Sequence, residues 1–410
     1  MRKLLLGTTA LIGGAVIASG AALADAPQLS ISGNMTWYLS FLNEDKATSG
    51  ATVGNANRIE PNQTRGWDVT NQSSGSELHF DASGTSDGGM IYGARFDLRP
   101  IGNTSSDEAY VYMAHDSWGR IHIGQDDGAK ENVLVGGEAV LAGRGGYDGV
   151  SGVIAGRAAT GAILGPDGPL ANDDSRIAYY SPDFNGLSFA ASFAPSAGNV
   201  NSGTINAGTV SVPYDNNFSL AGSFSNSFDE VDFRVAIGAD FAQGNRVDVP
   251  VAVRNAISGS SPSSVDVENI FAWEIGGRVS FGDFSFAAGY GDNGEAGVSQ
   301  NLPSASASPT NDFYTDGGYW YSVGLGYARG DSNFSIGYFS SSRENGRQNG
   351  ARSDVDASVL TISSDTKLAE GLTGFAEIFF SEVETDRYTH ARNDHNKDAI
   401  LFVVGTQISF

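Results

Sequence analysis

The sequence contains no cysteine, few prolines and comparatively few basic residues. Without cysteine, the chain has neither a disulfide framework nor thiolate groups for metal binding or nucleophilic catalysis. Only 24 lysines and arginines face 47 aspartates and glutamates, giving a formal net charge of -23. Because nucleic-acid phosphates are bound by clustered lysine and arginine, this charge balance excludes nucleic acid as a partner.

Long apolar segments are also missing, except at the amino terminus. Nowhere else does the chain approach the about 18 apolar residues that a transmembrane helix needs. Arg2 and Lys3 precede an apolar stretch rich in small residues, which ends in the A-x-A site Ala22-Leu23-Ala24. This is the pattern of a secretory signal peptide. We therefore predict a signal peptide at residues 1–24 and an exported mature chain, residues 25–410.

The residues that are abundant are glycine and the aromatics, with 54 Gly, 23 Phe and 15 Tyr. They occur in segments where apolar and polar residues alternate, as in β-strands. In four segments no charge falls on the apolar face: 29–41, 90–98, 231–241 and 271–281. A basic residue facing mid-bilayer lipid costs about 2–4 kcal/mol, so charge-free faces favour membrane strands. Strands of a soluble β-sandwich also alternate apolar and polar residues, but their outer face tolerates a mixture of both.

The carboxyl terminus has the pattern of a last membrane strand. Ile400, Phe402, Val404 and Ile408 share one face of the predicted strand with the terminal Phe410. A final core strand of a soluble β-sandwich is the alternative interpretation. The slightly negative mean hydropathy fits a barrel, because half of each strand faces water and half faces lipid.

The alternating segments predict sixteen strands, and barrels of 16–18 strands enclose an aqueous channel. Short turns alternate with long polar connections between these strands. The long connections are 42–74, 126–173, 195–213, 243–266, 291–317, 341–353 and 385–398. Outer-membrane barrels have this arrangement of short periplasmic turns and long external loops. The predicted fold is an all-β, 16-stranded antiparallel transmembrane β-barrel.

Three segments carry a resemblance to a known family: EAYVYMAHDSWGRIHIGQDDGA (108–129), RIAYYSPDFNGLSFAASF (176–193) and the terminal GTQISF. They resemble the Gram-negative general porin family, especially α-proteobacterial porins of the purple-bacterial type. The resemblance implies a homotrimeric diffusion channel in the cell outer membrane, with its third loop folded inward. It also implies contact with membrane lipid and lipopolysaccharide, and Phe410 as a signal for the barrel-assembly machinery.

In such porins the third loop presents acidic residues to a basic cluster on the opposite wall. Here the loop begins at about Asp126 and lacks the Pro-Glu-Phe-Gly-Gly core of enteric porins. The resemblance implies as pore-constriction candidates Glu138, Asp148, Asp126, Asp127, Arg95 and Arg99.

Strand alternation places further charged residues on the lumen wall, namely Arg176, Arg234, Glu274 and Arg278. Such residues either set a transverse field across the pore or only solvate a polar inner wall. Segment 126–174 carries eight acidic and three basic residues. A water-filled pore with one dominant sign of charge concentrates counter-ions, so we predict a modest cation preference.

The predicted function is passive diffusion of small hydrophilic solutes and ions. The five histidines form no catalytic set, and no enzymatic activity is predicted. The loop carboxylates, such as Asp126-Asp127 and Asp173-Asp174, could bind Ca²⁺, or they are simply solvated; no metal site is assigned. Alternative functions are a ligand-specific outer-membrane channel, a surface-binding barrel, a barrel enzyme and a soluble exported β-protein.

Overall fold

The computed structural model describes residues 25–45, 63–71, 76–101, 105–147, 163, 166, 168–170, 173–196, 214–248, 264–296, 299–300, 316–348, 351–385 and 397–410. The predicted signal peptide 1–24 and Asp148 lie outside these residues. No helix in the described part of the chain is long and apolar enough to cross a membrane.

Nearly all the described residues belong to β-strands. These are β1 (Asp25–Asp45), β2 (Gln63–Asn71), β3 (Glu77–Thr85), β4 (Ile91–Arg99), β5 (Ser105–His115), β6 (Gly119–Asp126), β7 (Asp174–Tyr180), β8 (Leu187–Ser196), β9 (Tyr214–Phe228), β10 (Val231–Gly244), β11 (Arg246–Asp248), β12 (Ser264–Val267), β13 (Ile270–Phe281), β14 (Phe284–Asp292), β15 (Ser299–Gln300), β16 (Tyr319–Arg329), β17 (Ser332–Gln348), β18 (Ala351–Ala369), β19 (Leu372–Thr385) and β20 (Lys397–Ser409). A short 3-10 helix, Gly137–Val140, lies between β6 and β7.

The strands close into a barrel. Neighbours along the ring pair antiparallel, and β1 closes the ring against β20 through residues 34–44. Strands β2 and β3 pair in succession with the other edge of β1, so together they make one interrupted barrel strand. Strands β11, β12 and β15 form a separate three-stranded sheet. The barrel therefore has sixteen strands, which confirms the predicted fold.

Several of the predicted long loops are partly strand: 243–266 contains β11 and part of β12, and 291–317 contains β15. Within predicted loop 42–74, β1 continues to Asp45 and β2 occupies residues 63–71. Within predicted loop 341–353, β17 runs to Gln348 and β18 begins at Ala351. The prolongation of β17 is polar, so it lacks the apolar alternation on which the prediction depended. In β2 only Trp67 and Val69 alternate with polar residues, which is too short a pattern to predict a strand.

The distribution of exposed residues is inverted relative to a soluble protein. On β13, Phe271 and Phe281 are each 56% exposed, whereas Glu274 is 2% exposed. The same alternation of exposed apolar and buried polar residues recurs on neighbouring strands. A row of bare aromatic and aliphatic side chains requires an apolar solvent, which a bilayer supplies. The arrangement argues against a soluble sandwich.

Short connections cluster at one end of the barrel, here called the short-turn end. Gly282 and Gly330 begin two-residue turns there with positive φ values of 58° and 63°. Turns of this kind match the twist of the strands they join and favour glycine. The first strand begins and the last strand ends at this same end.

Candidate functional site: the barrel lumen

The connection between β6 and β7 is here called the inner loop (127–173), and its described residues lie along the inside of the barrel wall. Its backbone amides donate hydrogen bonds to side-chain oxygens of five strands: Ala129 to Ser192 (3.0 Å), Lys130 to Ser219 (3.1 Å), Gly137 to Ser322 (2.9 Å), Ala142 to Ser335 (2.7 Å) and Arg144 to Glu377 (2.9 Å). These partners lie on strands from β8 to β19. The inner loop therefore folds into the lumen, as predicted, and follows the wall.

Glycines in the wall make room for the inner loop. A Cβ atom at Gly276 would lie 1.7 Å from the carbonyl oxygen of Val135. At Gly324 it would lie 2.1 Å from the carbonyl oxygen of Gly137. Any larger residue at these positions would push the loop away from the wall. Part of the high glycine content is thus explained by close backbone approach.

Lys130 fixes the beginning of the inner loop in a cage of carboxylates. Its Nζ lies 2.9 Å from Asp240 Oδ2 and 3.4 Å from Glu131 Oε1, and it donates a hydrogen bond to Glu274. The lysine is fully buried. Burial disfavours the cation, but the three carboxylates outweigh burial and raise the pKa of Lys130, so it stays charged. The predicted wall residue Glu274 thus holds the inner loop in place.

Lys130 and Asp240 were absent from the predicted site. The available signal was a lone lysine among the acidic residues at the start of the loop. Its wall partners Asp240 and Glu274 lie on strands more than a hundred residues away, so sequence spacing does not pair them with the lysine.

The far part of the inner loop is tied to the strands near the closing seam. The amides of Gly143 and Gly145 donate to Asp365 Oδ2 (3.1 Å) and Glu377 Oε1 (3.0 Å). The side chain of Arg144 donates through Nε to Gln407 Oε1 at 2.8 Å. The loop is therefore attached to strands between β8 and β20. It occupies lumen space beside these strands and so reduces the free cross-section of the lumen there.

The predicted basic residues Arg95 and Arg99 lie on β4, and both are paired with carboxylates of their own side of the barrel. Arg95 Nη2 lies 2.7 Å from Asp97 Oδ2. Arg99 contacts Asp107 Oδ2 at 2.7 Å and Glu77 Oε1 at 3.1 Å. The wall itself therefore compensates much of their charge.

The predicted loop acids are dispersed. Glu138 belongs to the 3-10 helix, and its Oε1 accepts a hydrogen bond from the amide of Gly136 at 2.9 Å. Asp126 ends β6, where its Oδ2 lies 2.6 Å from His122 Nδ1. Asp148 lies outside the described residues. The constriction roles of the predicted residues stay predictions.

The two ends of the inner loop meet at a group of carboxylates, here called the loop neck: Glu108 of β5, Asp127 and Asp173. One ligand atom from each lies within 4.8 Å of the other two. Burial, followed by repulsion from neighbouring carboxylates, raises the pKa of Asp127 and of Asp173. In the described part of the chain these are the residues placed to hold a metal ion, and carboxylate oxygens suit Ca²⁺.

Glu108 was not predicted as a site residue. Strand alternation could have found it, since it shares its face of β5 with the buried Tyr110 and Tyr112. Beside the neck, the His122 ring stacks on Tyr110 with centroids 4.2 Å apart, and Arg120 lies 4.4 Å from the Tyr112 ring centroid. Through these contacts, side chains of β5 and β6 pack against one another beside the loop neck.

The other predicted wall residues each make a polar contact, and their role in the pore stays a prediction. Arg176 lies 3.7 Å from Asp174 Oδ2. Arg234 donates through Nη2 to the carbonyl of Val133 at 2.7 Å. Arg278 donates through Nε to Ser280 Oγ at 3.2 Å.

Phe410 lies at the closing seam. Its amide and carbonyl exchange hydrogen bonds of 3.0 Å with the backbone of Gly33, while its ring is 63% exposed. The last residue thus completes the pairing of the first and last strands and presents an aromatic ring at the barrel surface.

Comparison with known proteins agrees with this architecture. A family model described as Gram-negative porin matches residues 7–386. An uncharacterized protein of Rickettsia bellii (strain RML369-C) is 25% identical over 187 residues, which is 44% of this chain and 38% of that protein. The chain therefore spans well under two thirds of this curated relative.

Several solved structures are similar over nearly the whole chain. The loop L8 deletion mutant of OmpT, an outer membrane protein of Vibrio cholerae, has a TM-score of 0.55 at 14% identity, covering 94% of this chain and 100% of its own. The trimer form of in-vitro folded OmpT gives 0.54 at 15% identity with the same coverage. An anion-selective porin from Comamonas acidovorans gives 0.56 at 12% identity, again with the same coverage.

At these identities the solved structures establish the fold alone. The family model covers far more than half of the chain, and its match agrees with a closed sixteen-stranded barrel that carries a loop inside. The chain belongs to the Gram-negative porin family.

Proposed function

We propose that this outer-membrane porin is a modestly cation-selective channel for small hydrophilic solutes and ions. The supporting observation is the loop neck, where Glu108, Asp127 and Asp173 converge. None of the ion pairs among the described residues includes these three carboxylates. Arg95 and Arg99, by contrast, are compensated by carboxylates beside them. Asp127 and Asp173 are ionised above their raised pKa values, and there their negative charge at the root of the inner loop attracts cations.

The test is a planar-bilayer recording of the purified protein in a KCl gradient. The reversal potential should show K⁺ favoured over Cl⁻. The preference should shrink at high salt, because the Debye length falls from about 8 Å at physiological ionic strength to about 3 Å at 1 M. Substituting Glu108→Gln together with Asp127→Asn should reduce it. Anion preference in dilute salt would contradict the proposal and point to the wall arginines.

The proposal extends to assembly and partners. The protein acts as a homotrimer in contact with outer-membrane lipid and lipopolysaccharide, after export under the direction of signal peptide 1–24. Support comes from the exposed apolar belt of the barrel and from the likeness to a porin-fold protein described in trimer form. Ca²⁺ bound at the loop neck is part of the same proposal, since it would relieve the repulsion there.

A ligand-specific channel is the alternative function. It would be favoured by saturable block of the current by a single sugar or anion. A general pore instead passes solutes according to size and charge.

A further inference from the structure

Two arginines of the lumen wall lie side by side. Arg234 of β10 and Arg278 of β13 are direct partners in the antiparallel register. Side chains at such positions have Cβ atoms about 4.5–5.5 Å apart. Like charges directly opposite each other destabilise a sheet. This arginine pair therefore requires a compensating interaction.

The protein supplies only part of that compensation. Arg234 donates to the Val133 carbonyl and Arg278 to the Ser280 hydroxyl, both neutral groups. Among the described residues, neither arginine forms an ion pair with a carboxylate. The Nε atom of Arg234 is buried without a hydrogen-bond partner. The carboxylate of Asp232, two residues before Arg234, attracts the Arg278 guanidinium electrostatically. The same carboxylate also accepts a hydrogen bond from the Ser227 hydroxyl.

The position of the arginine pair relative to the inner loop is fixed by the wall residues beside it. On the lumen face of β13, Glu274 binds Lys130 and Gly276 lies against the Val135 carbonyl. Arg278 is the next residue on that face toward the short-turn end. The pair thus lies directly beneath the inner loop, and both side chains are half-buried.

We propose that the arginine pair binds an oxyanion, a carboxylate or phosphate group, carried by a permeating solute. Guanidinium groups are planar and bind such groups in a bidentate manner. The half-buried position strengthens the attraction, because the effective dielectric constant is lower than in bulk water. The inference rests on the proposed channel function and adds an anion subsite on the periplasmic side of its inner loop.

The experiment is single-channel recording at constant ionic strength, with inorganic phosphate or acetate added to one side. Either probe should give concentration-dependent, saturable block, at lower concentration from the short-turn side. The probe that blocks at the lower concentration shows whether the site prefers phosphate or carboxylate. Arg234→Gln or Arg278→Gln should weaken the apparent affinity roughly tenfold, since each removes a charged donor. Lysine at either position should weaken it severalfold, because the charge stays but the planar fork is lost.

The matched control is Arg329→Gln. It removes the same charge at the short-turn end, where Arg329 is bonded to the hydroxyl of Tyr327 on the outer face. Unchanged block in this variant supports the subsite, and block weakened as much as in the arginine-pair variants overturns it. If a glutamine variant does not assemble, the lysine variants decide, and unchanged affinity in both overturns the inference.

The KCl conductance of the wild type distinguishes failure of the anion subsite from failure of the porin function. A conducting channel whose current ignores both probes overturns the anion subsite and leaves the porin function standing. Absence of KCl conductance from correctly folded protein overturns both.

Discussion

At the scale of single residues, Lys130 has the largest predicted effect on stability. It is fully buried and joins the inner loop to Asp240 and Glu274 on the wall. Removing one partner of a buried ion pair leaves uncompensated charge, which costs about 3–5 kcal/mol. Replacing the whole group by neutral residues costs far less.

We therefore expect Lys130→Met to lower the temperature at which the folded barrel converts to its unfolded form on an electrophoresis gel. Lys367→Met is the control, because it removes an exposed lysine paired with Glu370 at the short-turn end. Adding Asp240→Asn and Glu274→Gln to the Lys130 variant should recover much of the loss. A single variant as heat-resistant as the wild type would contradict the cage as an anchor.

A second prediction at this scale concerns pH. Because the pKa values of Asp127 and Asp173 are raised, these groups are charged only above their raised pKa and lose charge as pH falls through it. In Ca²⁺-free buffer the cation preference should decline well above about pH 4, where ordinary aspartates titrate. Reversal potentials across a pH series measure this.

Two variants and one cation test the assignment. Asp127→Asn with Asp173→Asn should flatten the pH dependence, while Asp283→Asn in a turn at the short-turn end should leave it unchanged. Added Ca²⁺ should move the decline to lower pH, because a bound cation favours the ionised carboxylates. A decline confined to the ordinary aspartate range would contradict a charged loop neck.

At the scale of elements, the inner loop is the segment that we predict to narrow the pore. It is bonded to the wall from Ser192 on β8 to Gln407 on β20. Its contacts are mostly backbone amides with wall side chains, so the loop path is specified by the wall as much as by its own residues.

Removing residues 136–150 should raise the single-channel conductance, because the far part of the loop then no longer occupies lumen volume. Deleting the equally long segment 197–211 from the predicted outer loop 195–213 serves as the control and should change conductance little. Unaltered conductance from an intact barrel lacking 136–150 would show that this part of the loop does not limit the current.

At the scale of the whole molecule, barrel closure brings the two ends of the chain together. Phe410 pairs with Gly33 through two backbone hydrogen bonds at the end of the β1–β20 seam. Deleting Phe410 removes these bonds and an interfacial aromatic ring. We expect less folded protein in the outer membrane, with export to the periplasm unaffected, as measured by heat-modifiable protein in membrane fractions. Undiminished folded protein would contradict the assembly role; Phe410→Tyr, which keeps an aromatic ring, is the matched control.

The sequence by itself determined the strands and the faces of the strands. Alternation has a period of two and is visible within a single segment, so the number of strands and the lumen position of residues such as Arg234 and Glu274 could be predicted. It could not reveal that β17 continues to Gln348, because apolar alternation ends before these polar residues, nor that β2 occupies 63–71, where only Trp67 and Val69 alternate with polar residues.

Only the tertiary structure decided which lumen residues meet. Arg95 pairs with Asp97 on its own strand, Lys130 reaches Asp240, and Arg234 lies opposite Arg278. These contacts depend on the register between strands and on the path of the inner loop. Both are set by pairing and packing between segments far apart in sequence, whereas alternation within one segment specifies only which face a side chain occupies.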